Sequence, residues 1–160
     1  MSPFTWRVRT YWEDTDAGGI VYYANYLKFM ERARSEWLRA IGIEQGPLQR
    51  EHGLMFVVVN AESHFQRPAR YGDLLLVTCE VEKSTRASLT FKQDIYRDPA
   101  GRGRDPAGLG RDPAGAGGDA EPELLVTGRV RVACLDAAKF RPRALPDLIL
   151  QEMGIAGDRQ

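Results

Sequence analysis

The sequence lacks any excess of charge, because 22 Lys and Arg residues balance 22 Asp and Glu residues. A zero net charge gives no electrostatic footprint for nucleic acid or for an anionic membrane surface, so we expect neither partner. The chain also lacks any run approaching the roughly 18 consecutive apolar residues of a membrane span. Its 160 residues suit one domain with a hydrophobic core and are too few for two large domains.

Cysteine and histidine are scarce. The two cysteines, Cys79 and Cys134, lie in apolar, strand-like runs and do not make a disulfide framework. We therefore expect two reduced, buried thiols in an intracellular protein. The first residues, MSPFTWRVRTYW, contain no apolar segment of a secretory signal, which favours a cytoplasmic location. His52 and His64 have no partner at ligand spacing, so no metal site is predicted.

Hydrophobic periodicity predicts one long helix and several strands. Apolar residues recur every three to four positions from Tyr26 to Ile41, the pattern of an amphipathic helix of about 16 residues. Asn25 is a candidate N-cap and Gly42 a candidate C′ residue. Strands are predicted at Thr5–Trp12 and in LMFVVVNAESHF, DLLLVTCEVEKS, ASLTFKQDIY and ELLVTGRVRVACLD, with a short terminal helix starting near Pro146. This order predicts an α+β fold, with an antiparallel sheet of about five strands wrapped around one long central helix.

Residues 97–117 are three tandem heptads, RDPAGRG, RDPAGLG and RDPAGAG. They offer almost no apolar side chain to offset the entropy of ordering, and they lack the apolar pairs of a coiled coil. We predict a single domain over 1–160 with a repetitive loop insertion at 97–119 that joins two antiparallel strands. The free energy of loop closure grows slowly with length, so we expect repeat expansion without function rather than a binding arm.

The stretch EDTDAGGIVYYAN, residues 13–25, places aspartates and glycines directly ahead of the long helix. It lacks both the G-K-[ST] ending and the G-x-G-x-x-G spacing of phosphate loops. Backbone N–H groups at a helix start are unpaired donors that suit a developing oxyanion, and a nearby carboxylate is a nucleophile or a general base. The residues alone leave two interpretations open, a solvated turn and a catalytic site.

The segment YWEDTDAGGIVYYANYLKFMERARSEWLRAIG resembles the N-terminal signature of the hot-dog fold acyl-CoA thioesterases, in particular the 4-hydroxybenzoyl-CoA and Tol–Pal-associated groups. RPARYGD, residues 67–73, resembles a second segment of that family. The resemblance implies that Asp16 is the catalytic carboxylate, attacking the thioester carbonyl or activating water. It also implies that the backbone N–H of Tyr23 polarises that carbonyl. The Tol–Pal-associated group has a histidine where this chain has Tyr23, which removes a catalytic histidine from the expected site.

The same resemblance implies the substrate contacts and the assembly. Lys83 and Arg86 are the expected contacts to the anionic end of CoA, which is part of the substrate, so no separate cofactor is expected. Asn25, Ser63 and His64 are expected to line the acyl pocket. The resemblance implies a homo-oligomer, either a dimer formed by pairing sheet edges or a dimer of dimers (a homotetramer), with the active sites at the subunit interface. Two other functions are weighed, a hot-dog dehydratase or hydratase and a non-catalytic acyl-CoA-binding scaffold.

Overall fold

A computed structural model describes residues 2–101 and 120–154 of the chain. Its strands are β1 (Phe4–Arg9), β2 (Leu54–Phe65), β3 (Leu74–Ser84), β4 (Ser88–Arg97) and β5 (Glu123–Asp136). Its helices are α1 (Asn25–Ala40), α2 (Gln45–His52) and α3 (Asp147–Glu152), and short 3-10 turns occur at Trp12–Asp14 and Pro99–Gly101. No helix among these described residues is long and apolar enough to cross a membrane.

The five strands form one sheet in the order β1-β3-β4-β5-β2, and every neighbouring pair is antiparallel. Helix α1 packs its apolar stripe on one face of this sheet, and both contribute to a single buried cluster. The predicted class, an antiparallel sheet of five strands around one long helix, is therefore confirmed. Cys79 and Cys134 are both buried and neither forms a disulfide.

Helix α1 has the predicted length of 16 residues. It ends in a Schellman motif, since the Ile43 N–H donates to the Leu38 carbonyl at 2.8 Å and Gly42 has a φ of 90°. The prediction that Asn25 is the N-cap is wrong. Ala24 occupies that position without a side-chain cap, and Asn25 is the first helical residue.

A buried polar contact fixes α1 on the sheet. The Arg34 guanidinium donates to the Gln93 Oε1 atom of β4 at 2.9 Å, and Gln93 Nε2 donates to the Met30 carbonyl at 3.0 Å. Burial lowers the pKa of Arg34. Because a buried polar group without partners is costly, this contact favours one position of the helix over the sheet.

Strand β2 lies at one end of the strand order, and in the described part of the chain it pairs with β5 alone. It is 12 residues long and exposes two neighbouring valines at its middle, Val58 at 52% and Val59 at 51%. A long apolar edge strand of this kind is a template for pairing with another chain.

The main differences from the predictions concern β1, α2 and the insertion. Strand β1 ends at Arg9, before the 3-10 turn Trp12–Asp14. Helix α2 was not predicted, because Gly46 and Pro47 in its first turn are residues that usually indicate a loop. The predicted insertion starts too early, since Arg97 is the last residue of β4 and Pro99–Gly101 forms an ordered turn. The later repeats, within 102–119, lie outside the described residues.

Candidate active site

The Asp16 turn is a small closed hairpin ahead of α1. The Asp16 N–H donates to the Ile20 carbonyl and the Gly19 N–H donates back to the Asp16 carbonyl, both at 3.0 Å. The Asp16 Oδ1 atom accepts the Gly18 N–H at 2.8 Å, which orients the carboxylate. The side chain is exposed, and Oδ2 has no protein partner among the described residues. One carboxylate oxygen is thus held in place and the other is available to react.

Two glycines let the carboxylate take this position. A Cβ on Gly18 would lie 3.1 Å from Asp16 Oδ1, tighter than ordinary contacts, and Gly19 has a φ of 74°, which favours glycine. The glycines of this turn therefore allow the Asp16 geometry.

Asp14 shapes the turn from inside. Its Oδ2 atom accepts the Tyr11 N–H at 2.7 Å, and its carbonyl accepts the Tyr22 N–H and the Asn25 Nδ2 atom, each at 2.9 Å. The Asn25 side chain therefore ties the start of α1 to the turn. The Nδ2 atom of Asn25 is thus used within the turn, and a contact of Asn25 with the acyl group stays a prediction.

The backbone at Tyr23 offers free donors. The Tyr22 N–H is used by Asp14 and the Asn25 N–H by the Tyr22 carbonyl, but the N–H groups of Tyr23 and Ala24 have no acceptor within the described residues. Unpaired N–H groups and the positive end of the helix dipole favour an anionic oxygen at this point. The Tyr23 hydroxyl, and more weakly burial and the Asp16 charge, raise the pKa of Tyr22.

The end of β2 closes one side of the site. The Phe65 ring contacts Tyr23 edge-on at 6.1 Å between centroids and Tyr26 at 5.7 Å. Successive strand residues point to opposite faces, so Ser63 lies on the same side as Phe65. The Ser63 Oγ atom is buried without a hydrogen-bond partner in the described structure, so it is available to a ligand.

Three predicted substrate contacts are not brought to this site within one chain. His64 is exposed and points to the opposite face of β2 from Phe65. Lys83 and Arg86 belong to the hairpin between β3 and β4, whereas the start of β3 lies at the Asp16 end of the sheet. Strand β3 has 11 residues, which corresponds to roughly 33 Å between its ends. Similarity in sequence gave no information on which end of the sheet carries these cations.

The loop over residues 67–73 supports the turn, a role that sequence reasoning did not assign to it. The Ala69 carbonyl accepts the Val21 N–H at 2.9 Å, and the Ala69 N–H donates to the Tyr26 Oη atom at 3.0 Å. Ile20 and Arg70 form an additional β-bridge. Burial raises the pKa of Tyr26, so its phenol stays protonated at neutral pH. In the sequence, Tyr26 fits the apolar spacing of the helix, and that spacing does not predict its hydrogen bond with the Ala69 backbone.

A small cavity of about 150 Å³ lies farther along α1, between the helix and strands β2, β4 and β5. Its wall is mostly apolar, with Phe56 of β2 and Phe91 of β4, and it includes the Arg34 side chain. Among the described residues no three His, Cys, Asp or Glu side chains are grouped to hold a metal ion.

Known proteins resemble this chain over most of its length. The family described as the thioesterase superfamily matches residues 18–103. The acyl-CoA thioester hydrolase YbgC of Escherichia coli O157:H7 is 38% identical over 93% of this chain and 94% of its own. The acyl-CoA thioesterase YbgC of Haemophilus influenzae is 36% identical over 89% of this chain and 88% of its own.

Solved structures agree with these relatives. A probable thioesterase from Bartonella henselae is 30% identical, with a TM-score of 0.70 over 91% of this chain and all 100% of that one. The 1,4-dihydroxy-2-naphthoyl-CoA thioesterase of Synechocystis is 19% identical, with a TM-score of 0.73 over 99% of both chains. At that identity the second likeness concerns the fold alone. Together with the sheet and helix described above, these structures confirm the predicted hot-dog fold.

Proposed function

The chain belongs to the thioesterase superfamily, and we propose that it hydrolyses an acyl-CoA thioester to a free acid and CoA. Relatives that share more than a third of its residues carry acyl-CoA thioesterase names, which supports this substrate class. The observation that carries the proposal is the turn itself. Among the described residues, one carboxylate oxygen of Asp16 in the hairpin and the N–H groups of Tyr23 and Ala24, between the hairpin and α1, have no hydrogen-bond partner.

In the proposed reaction the thioester carbonyl oxygen accepts the Tyr23 N–H at the start of α1. Negative charge develops on that oxygen in the tetrahedral transition state, so a donor fixed in advance stabilises the transition state more than the ground state. The donor belongs to the main chain, so it does not require the histidine that the Tol–Pal-associated group carries at this position.

Asp16 supplies the second element of the reaction. Its carboxylate either removes a proton from the water that attacks the carbonyl carbon or attacks that carbon itself, forming an anhydride that water then cleaves. In both routes the carbon–sulfur bond breaks, the CoA sulfur leaves as thiolate and takes up a proton, and the acid is released. The exposed Asp16 side chain leaves room for either route.

In this proposal the acyl group binds between α1 and β2. Ser63 Oγ, buried and unpaired, provides a hydrogen bond near Phe65, and the apolar cavity beside Phe56 provides room beyond it. The cavity wall is mostly apolar, with Glu31 and Arg34 as its charged members.

The cations that bind CoA come from a second copy of the chain in this proposal. Pairing two β2 edges antiparallel brings the Leu54 end of one copy beside the Phe65 end of the other. In each copy, Lys83 and Arg86 lie at the hairpin between β3 and β4. The pairings across the sheet place this hairpin in line with Val58, nearer the Leu54 end of β2 than the Phe65 end (Ser84 with Leu89, Leu89 with Val132, Val132 with Val58). The hairpin of one copy then lies at the same end of the joined sheet as the Asp16 turn of the other. A dimer thus reconciles these predicted contacts with their distance from Asp16 in one chain.

The experiment is thiol release from a panel of acyl-CoAs with aliphatic and aromatic acyl groups, using wild type, Asp16→Asn and Glu13→Gln. We expect Asp16→Asn to lower kcat by about 10²–10⁴-fold, the range for loss of a general base. Glu13→Gln removes an exposed carboxylate from the same segment and is expected to keep wild-type activity. Full activity in Asp16→Asn would falsify the assignment.

The panel also separates the two other functions. A hydratase would consume an enoyl thioester without thiol release, and it needs a histidine; His52 lies at the end of α2 and His64 on the opposite face of β2 from Phe65. A binding scaffold would show saturable CoA binding with no turnover of any acyl group.

A further inference from the structure

Arg97 is buried at the end of β4, with only 7% of its surface exposed, and it is the first residue of the first RDPAGxG repeat. Its Nε atom donates to Asp73 Oδ2 at 2.8 Å and its Nη2 atom to the Pro68 carbonyl at 2.6 Å. Its Nη1 atom donates to a carboxylate oxygen of Glu123 at the start of β5. Burial acts against the charge, but the bonds with Asp73 and Glu123 raise the pKa of Arg97, so the guanidinium stays charged.

These contacts hold the supporting loop on both sides of Ala69. Pro68 precedes it, and the Asp73 carboxylate that binds Arg97 also accepts the Arg70 N–H at 2.9 Å. Ala69 is fully buried between these points. The guanidinium therefore fixes the loop at two places at once, which a single point charge could not do.

The loop transmits this position to the site through backbone contacts. The Ala69 carbonyl accepts the Val21 N–H, and Val21 lies two residues before Tyr23. Ile20, which bridges to Arg70, is the residue whose carbonyl accepts the Asp16 N–H. A shift of the loop therefore moves both the carboxylate and the oxyanion donors.

We propose that Arg97 is a positioning residue that sets the placement of Asp16 relative to the Tyr23 N–H. This inference rests on the proposed function, because it concerns the geometry of that reaction. Arg97 does not touch the substrate, and it acts through the loop over residues 68–73. Catalysis is sensitive to such placement, since a displacement of about 1 Å from a remote mutation reduces the rate by about 10²-fold.

The test compares Arg97→Met and Arg97→Lys with the control Arg129→Met. Arg129 also forms two hydrogen bonds with one carboxylate, Glu82, but it is exposed and belongs to the middle of β5. Kinetics are measured well below the Tm of each variant, so that all are fully folded. Backbone hydrogen exchange of residues 14–23 is measured in parallel.

We expect Arg97→Met to lower kcat by about 10–100-fold with KM changed less than about threefold, and to speed exchange in residues 14–23. Arg97→Lys keeps the positive charge but loses the planar guanidinium that binds Asp73, Pro68 and Glu123 together. Its kcat should therefore lie between those of wild type and Arg97→Met. Arg129→Met should match wild type in both measurements.

Wild-type kcat and unchanged exchange in Arg97→Met, even with a lower Tm, would show that Arg97 only stabilises the fold. If Arg97→Met does not fold, full wild-type kcat and exchange in Arg97→Lys would overturn the proposal equally. Failure of the proposed function looks different, because wild type would then turn over no acyl-CoA. The exchange comparison would still report whether Arg97 orders the turn.

Discussion

Replacing Gly128 with alanine tests how tightly α1 is packed on the sheet. Gly128 is buried in β5 without a positive φ, so alanine meets no backbone strain there. A Cβ atom at this position would lie 2.6 Å from Met30 Cε, 3.1 Å from Met30 Sδ and 3.2 Å from the Gln93 carbonyl oxygen. Met30 is fully buried, so the close approach falls within the core, and the Gln93 carbonyl oxygen belongs to the main chain and cannot rotate away.

The expected loss of stability follows from two opposing effects. Overpacking a core by one methyl group costs about 1–3 kcal/mol, whereas Gly→Ala gains about 0.4–1 kcal/mol by restricting the unfolded chain. The mid-range values of the two effects give a net loss of about 1.3 kcal/mol. For a chain of this size that corresponds to a fall in Tm of about 3–5 °C.

Thermal unfolding followed by circular dichroism measures this fall, with Gly46→Ala as the matched control. A Cβ on Gly46, in α2, would meet only the flexible end of Arg50 at 3.2 Å, so its Tm should stay level or rise slightly. The double variant Gly128→Ala/Met30→Ala should lose less stability than the sum of the single variants, since each change relieves the other. A rise in Tm for Gly128→Ala, or strictly additive losses, would refute the packing argument.

Two further predictions concern charge and assembly. Burial raises the pKa of Asp94, whose Oδ1 atom is buried without a partner in the described structure, so the contribution of Asp94 to stability should fall as pH rises from the ordinary value of 3.8 through the raised one. Asp94→Asn should therefore raise Tm at pH 7 and not below pH 3.8, and an equal gain at both pH values would contradict this cause. Val59→Lys places a charge on the exposed edge of β2 and should convert the proposed dimer to a monomer, as measured by sedimentation velocity. A wild-type monomer with full acyl-CoA turnover would rule out an active site to which a second copy contributes Lys83 and Arg86.

The features that the sequence predicted well are those fixed by local chemistry. The span of α1 follows from apolar spacing, and its end follows from a glycine that tolerates a φ of 90° at residue 42. The turn around Asp16 follows from aspartates and glycines within seven residues of one another. Ser63 stays a prediction as a pocket residue, and its hydroxyl is buried without a hydrogen-bond partner in the described part of the chain.

The features that escaped prediction depend on pairing between distant segments. Lys83 and Arg86 were grouped with Asp16 by similarity, but the antiparallel register alone determines that their hairpin lies at the far end of the sheet. His64 and Phe65 are neighbours in β2 and point to opposite faces of the sheet. Which of them points toward α1 depends on the orientation of β2 in the sheet, which the sequence alone does not give. In the sequence, Arg97 belongs to a low-complexity repeat and gives no sign of being buried. Its buried position depends on hydrogen bonds with Asp73 and Glu123, each more than 20 residues away.

The ordered junction at Arg97 has a consequence for how the gene can change. Strand β4 and the turn after it use the residues RDPAG, and every copy of the repeat begins with the same five letters. Gain or loss of a whole unit by unequal recombination therefore always leaves an identical junction next to β4. A change of length in whole units of seven residues therefore keeps the Arg97 contacts with Asp73 and Glu123, whereas a deletion that includes Arg97 without restoring the repeat start loses them.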